Sequence, residues 1–398
     1  MDNTFDNIKA VFPTLANNPK LAYFDSAAST QTHYSVTKAM NEYYDYERCN
    51  VHRGDYPISR TASDKVETAR QQVATLIGAE VNQIIFTAGA TDGLNMVASW
   101  SRSVEHVFIT DTEHTANILP WIGHGRTVEN GRLVILPTDN DGDIDLQAAD
   151  KALAKHPGSL LSIVATSNVS GATTPWKTLA LMAKQYGMTV CIDACQTISS
   201  HELDMKECPS VDFAVFSSHK MFGPTGTGIL YCKHDTDDMR PVRWGGGGVD
   251  HYDMNGNINW VSGPHKHEPG TCNIAGIIGT GVAAEWIKFV GYDAIDKKLV
   301  SIHNYLKELG IYNMPSVTAV NSDTTNVISF VSKAHPGDIG AILGNNNVAV
   351  RTGKLCAHPF VNRLSERGVL RVSWHVYNTD KDCENLMDEL WKTIQKVT

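Results

Sequence analysis

The chain has 398 residues, of which 42% are hydrophobic and 19% are charged, as in an ordinary globular protein long enough for two domains. Its 34 basic and 43 acidic residues give a net charge of −9 without any basic block, which argues against nucleic acid or an anionic membrane as a partner. The sequence begins with acidic residues rather than an apolar leader, and no apolar run approaches the ~20 residues that span a bilayer. We therefore expect a cytoplasmic protein.

The eight cysteines are scattered along the chain and form no CxxC pair. They are Cys49, Cys191, Cys195, Cys208, Cys232, Cys272, Cys356 and Cys383. This spacing indicates neither a disulfide framework nor a zinc site, and we expect no bound metal. In a reducing compartment most of these side chains should be small buried hydrophobes.

The first predicted elements are a short strand and a long helix. The segment 21–30, LAYFDSAAST, is an apolar strand that ends in small residues. Apolar side chains recur at helical spacing over 61–78, and Gly78 suits the C-terminal end of that helix.

A strand–helix alternation then begins at residue 83. Strands are predicted at 83–87, 106–110, 132–137, 160–168, 188–196, 211–216 and 228–232. A helix over 89–100 follows the first strand, and another lies before 188, with Thr174 as its cap, Pro175 in its first position and Gly187 at its end. Such alternation predicts a largely parallel sheet with helices on both faces, whose ligand lies at the carboxyl ends of the strands.

Lys220 follows the buried strand 211–216 and precedes a loop rich in glycine and proline. A lysine in this position can form a Schiff base if burial or nearby positive charge lowers its pKa. Taken alone, a lysine in this position is more often one that simply ends a strand by reaching water.

Three further features lie at the ends of predicted strands. Residues 89–93, GATDG, join a strand to a helix and would offer free amides to a phosphate, although such turns are common. Asp193 ends an apolar strand and would suit a protonated pyridine nitrogen, or else would cap a helix. His114 follows the strand 106–110 and is placed to stack on a planar cofactor, or is an ordinary loop histidine.

Together these residues form the set needed to bind pyridoxal phosphate through a lysine. The chain resembles the group II cysteine desulfurases of the sulfur-mobilisation type, in the class V branch of the aminotransferase fold. The matching motifs run from YFDSAAS and VHRG, through EHTANILPW, SNVSG, IDACQ and FSSHKMFGPTG, to EPGTCN, RTGKLCAHP and RVSWHVYNT.

The resemblance implies an α/β fold, namely the type I fold of pyridoxal phosphate enzymes. A mostly parallel seven-stranded sheet flanked by helices would form a large domain over residues 20–285. A smaller α+β domain, from residues 1–19 and 286–398, would carry the catalytic cysteine loop. The change of pattern to helices with a few strands after about residue 285 agrees with this division.

The resemblance also implies how the cofactor is held. Lys220 would bind it covalently, Asp193 would pair with its pyridinium nitrogen and His114 would stack on its ring. The remaining contacts would come from Gln196 at the phenolic oxygen, Asn168 alongside the cofactor, Thr91, Ser217 and His219 at the phosphate, and Thr271 of a second subunit.

For the substrate, the resemblance implies that Arg371 clamps the carboxylate, a task that suits a planar guanidinium. Arg351, His52 and Arg53 would line the same pocket, together with Asn168.

Cys356 lies in a short loop like the catalytic loop of group II enzymes, where Arg351, Lys354 and His358 favour its thiolate. Otherwise Cys356 would be an inert cysteine.

The implied reaction converts L-cysteine, or L-selenocysteine as an alternative substrate, to alanine. Lys220 transfers protons, and the thiolate of Cys356 attacks the substrate sulfur and keeps it as a persulfide for an acceptor protein. The resemblance further implies a homodimer with a shared active site. A selenocysteine lyase, a cystine-type C–S lyase, an epimerase or a non-enzymatic sulfur carrier is the alternative.

Five positions depart from the family pattern. Lys354-Leu355 replaces a polar pair before the cysteine, Thr115 replaces a frequent second histidine, Cys272 replaces a proline, and Ala90 replaces a threonine of the phosphate turn. None of these changes removes a residue that the core mechanism requires.

Overall fold

The computed structural model describes residue 5, residues 7–321 and residues 326–397. The helices in this part of the chain are α1 (Pro13–Asn17), α2 (Tyr34–Tyr46), α3 (Pro57–Leu76), α4 (Ala90–Trp100), α5 (Leu119–Gly123), α6 (Leu146–Leu153), α7 (Trp176–Gln185), α8 (Ile274–Val290), α9 (Tyr292–Glu308), α10 (Pro336–Asn345), α11 (His358–Leu364) and α12 (Asp380–Val397). The strands are β1 (Ala22–Tyr23), β2 (Ile84–Thr87), β3 (Val107–Thr110), β4 (Leu133–Leu136), β5 (Leu160–Val164), β6 (Thr189–Asp193), β7 (Phe213–Ser217), β8 (Gly228–Cys232), β9 (Val249–Tyr252), β10 (Ile258–Trp260), β11 (Val317–Ala319), β12 (Val327–Ser332), β13 (Val348–Ala349), β14 (Arg351–Gly353) and β15 (Val369–Ser373).

The central feature is a seven-stranded sheet in the order β2-β8-β7-β6-β5-β3-β4. Strand β8 is antiparallel to both of its neighbours, and the other neighbouring pairs are parallel. Every residue of the five strands β2, β3, β5, β7 and β8 is buried, because helices and loops cover both faces. The predicted α/β fold with a mostly parallel seven-stranded sheet is confirmed.

Successive side chains of the sheet belong to different hydrophobic clusters. Phe108 and Phe216 lie in the larger cluster, whereas their neighbours Ile109 and Val215 lie in a second cluster. This alternation follows from the two-residue period of a strand, and it places apolar layers on both faces. The polar residues at the strand ends therefore collect at the edge between the layers.

Two predicted helix starts differ from the structure. Helix α3 begins at Pro57, four residues before the predicted Thr61, because Pro57 occupies a first-turn position that needs no amide donor. Pro175 is the residue before α7 rather than its first residue, and Thr174 accepts the Trp176 amide through its backbone carbonyl instead of capping with its hydroxyl.

The C-terminal part of the chain forms a four-stranded antiparallel sheet in the order β11-β12-β15-β14. Strand β1 reaches across to pair with β13. Residues 22–23 are thereby tied to the C-terminal region, although the predicted boundary at residue 20 assigns them to the large domain. The division into two domains stays a prediction.

Among the described helices, none is both long and apolar enough to cross a membrane by itself. Helices α8 and α9 pass that test only as a pair, bent by 78°.

Candidate active site

A cavity of about 300 Å³ opens where the carboxyl ends of β6 and β7 meet the loop around Cys356. Ten of the predicted site residues line it. These are Thr91, His114, Asn168, Asp193, Ser217, His219, Lys220, Arg351, Cys356 and Arg371.

Asp193 and Lys220 are delivered by neighbouring parallel strands. Asp193 is the last residue of β6 and is 3% exposed, and its Oδ1 accepts the amide of Cys195 at 3.0 Å. The residues that follow form turns, so Asp193 is not the cap of a helix. Lys220 ends the short 3-10 turn after β7. An acid and a lysine thus face one cavity from adjacent strand ends.

The turn before α4 is shaped by a close backbone approach. A side chain on Gly228 would lie 2.4 Å from the Cα atom of Gly89, so only glycine fits where β8 passes this turn. The Ser217 hydroxyl accepts the amide of Ala90 at 2.9 Å. Thr91 follows at the start of the helix, where backbone amides and the helix dipole favour an anion.

His114 is fixed by its own loop. Its Nδ1 accepts the amide of Ala116 at 3.1 Å, which leaves the proton of a neutral ring on Nε2. Burial, and then the positive charge of Lys220, lower the pKa of His114. The preceding Glu113 is fully buried and accepts hydrogen bonds from Thr110, Asn117 and Val164, which hold the loop at the sheet edge.

Asp25 was not predicted as a site residue, yet it joins the two arginines of the cavity. Its Oδ1 accepts from Arg371 at 3.0 Å, and its Oδ2 lies 2.9 Å from Arg351. Arg371 also donates to the backbone carbonyl of Asn168 at 2.9 Å. Burial lowers the pKa of Arg371, and the Asp25 carboxylate opposes that shift. The only sequence signal for Asp25 is an acid among the small residues after β1.

Cys356 lies in a turn with unusual backbone conformation. Leu355 and Cys356 have φ values of 52° and 54°, in the left-handed region that side chains other than glycine rarely adopt. The Asn168 side chain donates to the Leu355 carbonyl at 2.8 Å, and the Thr115 amide donates to the Cys356 carbonyl at 2.7 Å. The His114 loop and the Asn168 side chain therefore hold the turn in place.

Lys354 has a different environment from the one predicted. Its ammonium group donates to the backbone carbonyl of Ser365 at 2.9 Å. That contact engages the charge in holding the loop itself, so the expectation that Lys354 favours the Cys356 thiolate has no support in this arrangement. Cys356 itself is exposed.

Gln196 and His219, which were predicted to contact the phenolic oxygen and the phosphate of the cofactor, form contacts with other protein groups in this structure. The Gln196 side chain donates to the carbonyl of Ala27 at 2.8 Å, and Ala27 lines the cavity. His219 Nδ1 lies 3.3 Å from the Ser29 hydroxyl, and burial lowers the pKa of His219 to about 4. Gln196 is thus one residue behind the cavity wall.

Three predicted residues are not brought to the Lys220 cavity of their own chain. His52, Arg53 and Thr271 line a separate cavity of about 700 Å³, near the β9–β10 hairpin. Within one copy of the chain, His52 and Arg53 do not line the cavity that contains Arg371, and their contact with the substrate stays a prediction. They would reach such a pocket only in a second copy.

The residues around Lys220 fit pyridoxal phosphate. Asp193 would hold the ring nitrogen, His114 would cover the ring, and the turn at Gly89–Thr91 with Ser217 would hold the phosphate. Within the described part of the chain, two buried polar atoms beside the cavity lack hydrogen-bond partners, namely Asn168 Oδ1 and Arg371 Nε. Unpaired buried groups of this kind are expected where a polar ligand binds.

Comparison with known proteins gives a consistent result. The aminotransferase class V family model matches residues 22–386. A cysteine desulfurase of Enterobacter sp. (strain 638) is 35% identical over 97% of both chains, and one of Shigella flexneri is 34% identical over 98% of both. Two solved structures cover 98% of each chain: apo cysteine desulfurase of Thermococcus onnurineus NA1 (30% identity, TM-score 0.88) and the Escherichia coli cysteine desulfurase CsdA (27% identity, TM-score 0.89). The chain therefore belongs to the class V aminotransferase family, as a full-length relative of its cysteine desulfurases.

Proposed function

We propose that the protein is a pyridoxal phosphate-dependent cysteine desulfurase that converts L-cysteine to L-alanine and retains the sulfur on Cys356. The observation that carries this proposal is the position of Cys356, an exposed thiol in the wall of the cavity that also contains Lys220 and Asp193. A lysine and an acid alone would fit many reactions of this cofactor, whereas a thiol at the same cavity supplies a sulfur acceptor.

Pyridoxal phosphate, when bound, supplies an electron sink for the bonds at the substrate α-carbon. Lys220 would bind it covalently and Asp193 would keep its ring nitrogen protonated. His114 would stack on the ring, with its neutral imidazole as a further proton carrier. Thr91, Ser217 and His219 would surround the phosphate, and Asn168 and Gln196 would line the remaining edge.

Arg371 would orient the substrate carboxylate. Its Nη atoms already bind Asp25 and Asn168, but its Nε is buried without a partner among the described residues, and Arg371 lines the cavity. Arg351 is half exposed and shares Asp25, so it would close over the carboxylate from the solvent side. The substrate α-proton would then lie within reach of the Lys220 amine, which acts as base and acid in turn.

Cys356 would attack the substrate sulfur as a thiolate. A sulfur–sulfur bond forms, the carbon–sulfur bond breaks, and its electron pair returns to the substrate carbon, which takes up a proton to give alanine. The persulfide on Cys356 carries the sulfur to an acceptor protein. Because Cys356 is exposed, it is open both to the cavity and to such an acceptor.

The active site would be completed in a homodimer. His52, Arg53 and Thr271 line their own cavity rather than the one around Lys220, so they would contribute to the site of a second copy. Thr271 would then bind the phosphate and His52 and Arg53 the substrate side. We also propose that the protein is cytoplasmic. Its large domain would cover residues 20–285, and its small domain would consist of residues 1–19 and 286–398.

Mass spectrometry after exposure to L-cysteine tests the sulfur step. The wild type should gain one sulfur atom on Cys356 and release alanine, and Cys356→Ala should lose both. Cys49→Ser is the control, since Cys49 does not line the cavity and its thiol donates to the Ile58 carbonyl.

Alanine release with an unmodified Cys356 would contradict the desulfurase proposal and favour a lyase. Comparing the rates of alanine release from L-cysteine and from L-selenocysteine shows whether the enzyme prefers the sulfur or the selenium substrate. A protein that stays colourless with added pyridoxal phosphate would instead favour a non-enzymatic carrier.

A further inference from the structure

The second cavity contains a cluster of metal-binding side chains outside the Lys220 site. One ligand atom from each of His52, Glu67 and His265 lies within 4.8 Å of the other two. His52 and His265 both line the cavity of about 700 Å³. Two imidazoles and a carboxylate, with room for a water molecule, are a common donor set for Zn²⁺.

The three side chains come from distant parts of the chain and are held individually. His52 has φ 72°, a strained value for this residue, and its amide donates to the Ser63 hydroxyl at 2.8 Å. Glu67 lies on α3, and His265 lies in the 3-10 turn Gly263–His267. The His52 and His265 rings have centroids 5.0 Å apart. This separation along the sequence explains why no short motif predicted a metal.

Arg70 orients the carboxylate. Its Nε donates to Glu67 Oε2 at 3.0 Å, and its Nη2 forms a longer bond to Oε1 at 3.4 Å. Oε1 also lies 3.8 Å from His265 Nε2. Ligand atoms bound to one tetrahedral ion at ~2.1 Å are about 3.4 Å apart, so the three ligand atoms, now within 4.8 Å of one another, would have to move closer together around the ion. Hydrogen-bonded supports of this kind fix metal ligands in proteins.

The charge of the cluster also favours a cation. Arg70 is fully buried and forms two hydrogen bonds with Glu268, at 2.7 Å and 2.9 Å, in addition to its bond with Glu67. The carboxylates of Glu67 and Glu268 both pair with Arg70, so two negative charges face one positive charge and the cluster keeps a net negative charge for an ion. The remaining ligands are imidazoles, which bind divalent transition metals when neutral.

We propose that His52, Glu67 and His265 bind a divalent transition-metal ion, with Zn²⁺ as the best match. The ion would lie at the wall of the second cavity and would tie α3 to the two loops that carry His52 and His265. His52 would bind either the ion in its own copy or the substrate side of a second copy, whereas Arg53 would contact that substrate in both cases. The proposal does not depend on desulfurase chemistry, since it concerns binding alone.

Cobalt titration of the chelator-treated, pyridoxal phosphate-loaded protein tests this site. Co²⁺ should bind one equivalent per chain and give visible bands of a low-coordinate nitrogen and oxygen site. His265→Ala should weaken this binding by about a hundredfold, and Glu67→Gln by at least about tenfold. The control is His106→Gln with His156→Gln, a second histidine pair whose rings stack at 3.9 Å. This control should bind as the wild type does.

Thermal unfolding provides an independent measurement. Saturating Zn²⁺ should raise the melting temperature of the wild type, and His265→Ala should lose this increase while melting as the wild type does without metal. Unchanged cobalt binding in both variants would overturn the proposal, as would a complex that shows only the charge-transfer bands of cysteine thiolates. Alanine production by His265→Ala reports separately on the proposed desulfurase function.

Discussion

The two sides of the Lys220 cavity are built in different ways. One side consists of strand ends of the seven-stranded sheet, with Asp193 at the end of β6 and Ser217 at the end of β7. The other side is the turn at Leu355 and Cys356, where two successive residues have left-handed backbone conformation. The first side is held by ladder hydrogen bonds and apolar layers, and the second by two donors from other segments.

The difference indicates a division of tasks. Groups on the strand ends have little freedom to move, which suits the fixed placement of a cofactor. A turn held by few bonds costs less to displace, which suits a thiol that must first meet a substrate and then an acceptor. Substitutions on the sheet side should therefore abolish chemistry, whereas substitutions around the turn should reduce sulfur transfer alone.

The largest effect is expected for Lys220→Ala. Without the amine, cofactor attachment and proton transfer are both lost, and alanine formation should fall by at least about a hundredfold. Borohydride treatment followed by peptide mass spectrometry should find no cofactor on residue 220. Lys233→Ala is the matched control, because Lys233 follows the antiparallel strand β8 at the opposite edge of the sheet. Full activity in Lys220→Ala would show that the reaction does not need the lysine on the sheet side of the cavity.

The two sides also differ in how far sequence predicts them. Apolar runs with a polar residue at the end located β6 and β7 closely, and hence Asp193 and Lys220, because buried parallel strands have a simple pattern. The joint presence of several strand-end residues then predicted pyridoxal phosphate, the cofactor of the family to which the chain belongs. The strands on the sheet side of the cavity could therefore be predicted from local sequence alone.

The turn side was predicted only through resemblance to a family. Nothing in the local sequence shows that Leu355 and Cys356 have positive φ, since neither residue type favours it. The partners of the turn, Asn168 and Thr115, are far away in sequence, and so is Asp25 from the arginines it joins. Such contacts depend on the packing of distant segments.

Asp25→Asn tests the region between the two sides. It leaves the buried Arg371 guanidinium without its charged partner, which should lower the free energy of unfolding by about 3 kcal/mol. The KM for L-cysteine should rise, because Arg351 and Arg371 lose their common anchor. Urea unfolding and steady-state kinetics measure the two effects.

Asp111→Asn is the matched control for this pair. Asp111 lies 3.0 Å from Arg363, whose side chain is one-third exposed, so its loss should cost less than about 1 kcal/mol. Equal losses in the two variants would show that burial of Arg371 does not set the strength of its ion pair.

Asn168→Ala is expected to act chiefly on the turn, although Asn168 also lines the cavity beside the proposed cofactor. It removes the donor to the Leu355 carbonyl, but the bond from Arg371 goes to the Asn168 backbone and is retained. A loss of about 1 kcal/mol should slow persulfide formation by about fivefold, while borohydride still traps the cofactor on Lys220. Asn18→Ala, which removes an exposed side-chain bond to the Thr14 carbonyl, is the control. Loss of the trapped cofactor in Asn168→Ala would mean that the two sides are not separate.

A separate effect on stability is a pH dependence from Glu113, which supports the His114 loop on the sheet side. Burial raises the pKa of Glu113 from 4.5 to about 7, although four hydrogen bonds to its carboxylate oppose the shift. Between these values the native state keeps a proton that the unfolded chain has released. The contribution of Glu113 to stability is therefore present at low pH and is lost as the pH rises toward 7.

Glu113→Gln should abolish this contribution. The difference in unfolding free energy, wild type minus variant, should fall with rising pH by at most about 1.4 kcal/mol per pH unit between about pH 5 and 7. Buried histidines such as His33, with a pKa lowered to about 4 by burial, act with the opposite sign. They are present in both proteins and cancel in the difference. A difference that does not vary with pH in urea unfolding would show that Glu113 is already ionised at pH 5, held charged by its four donors.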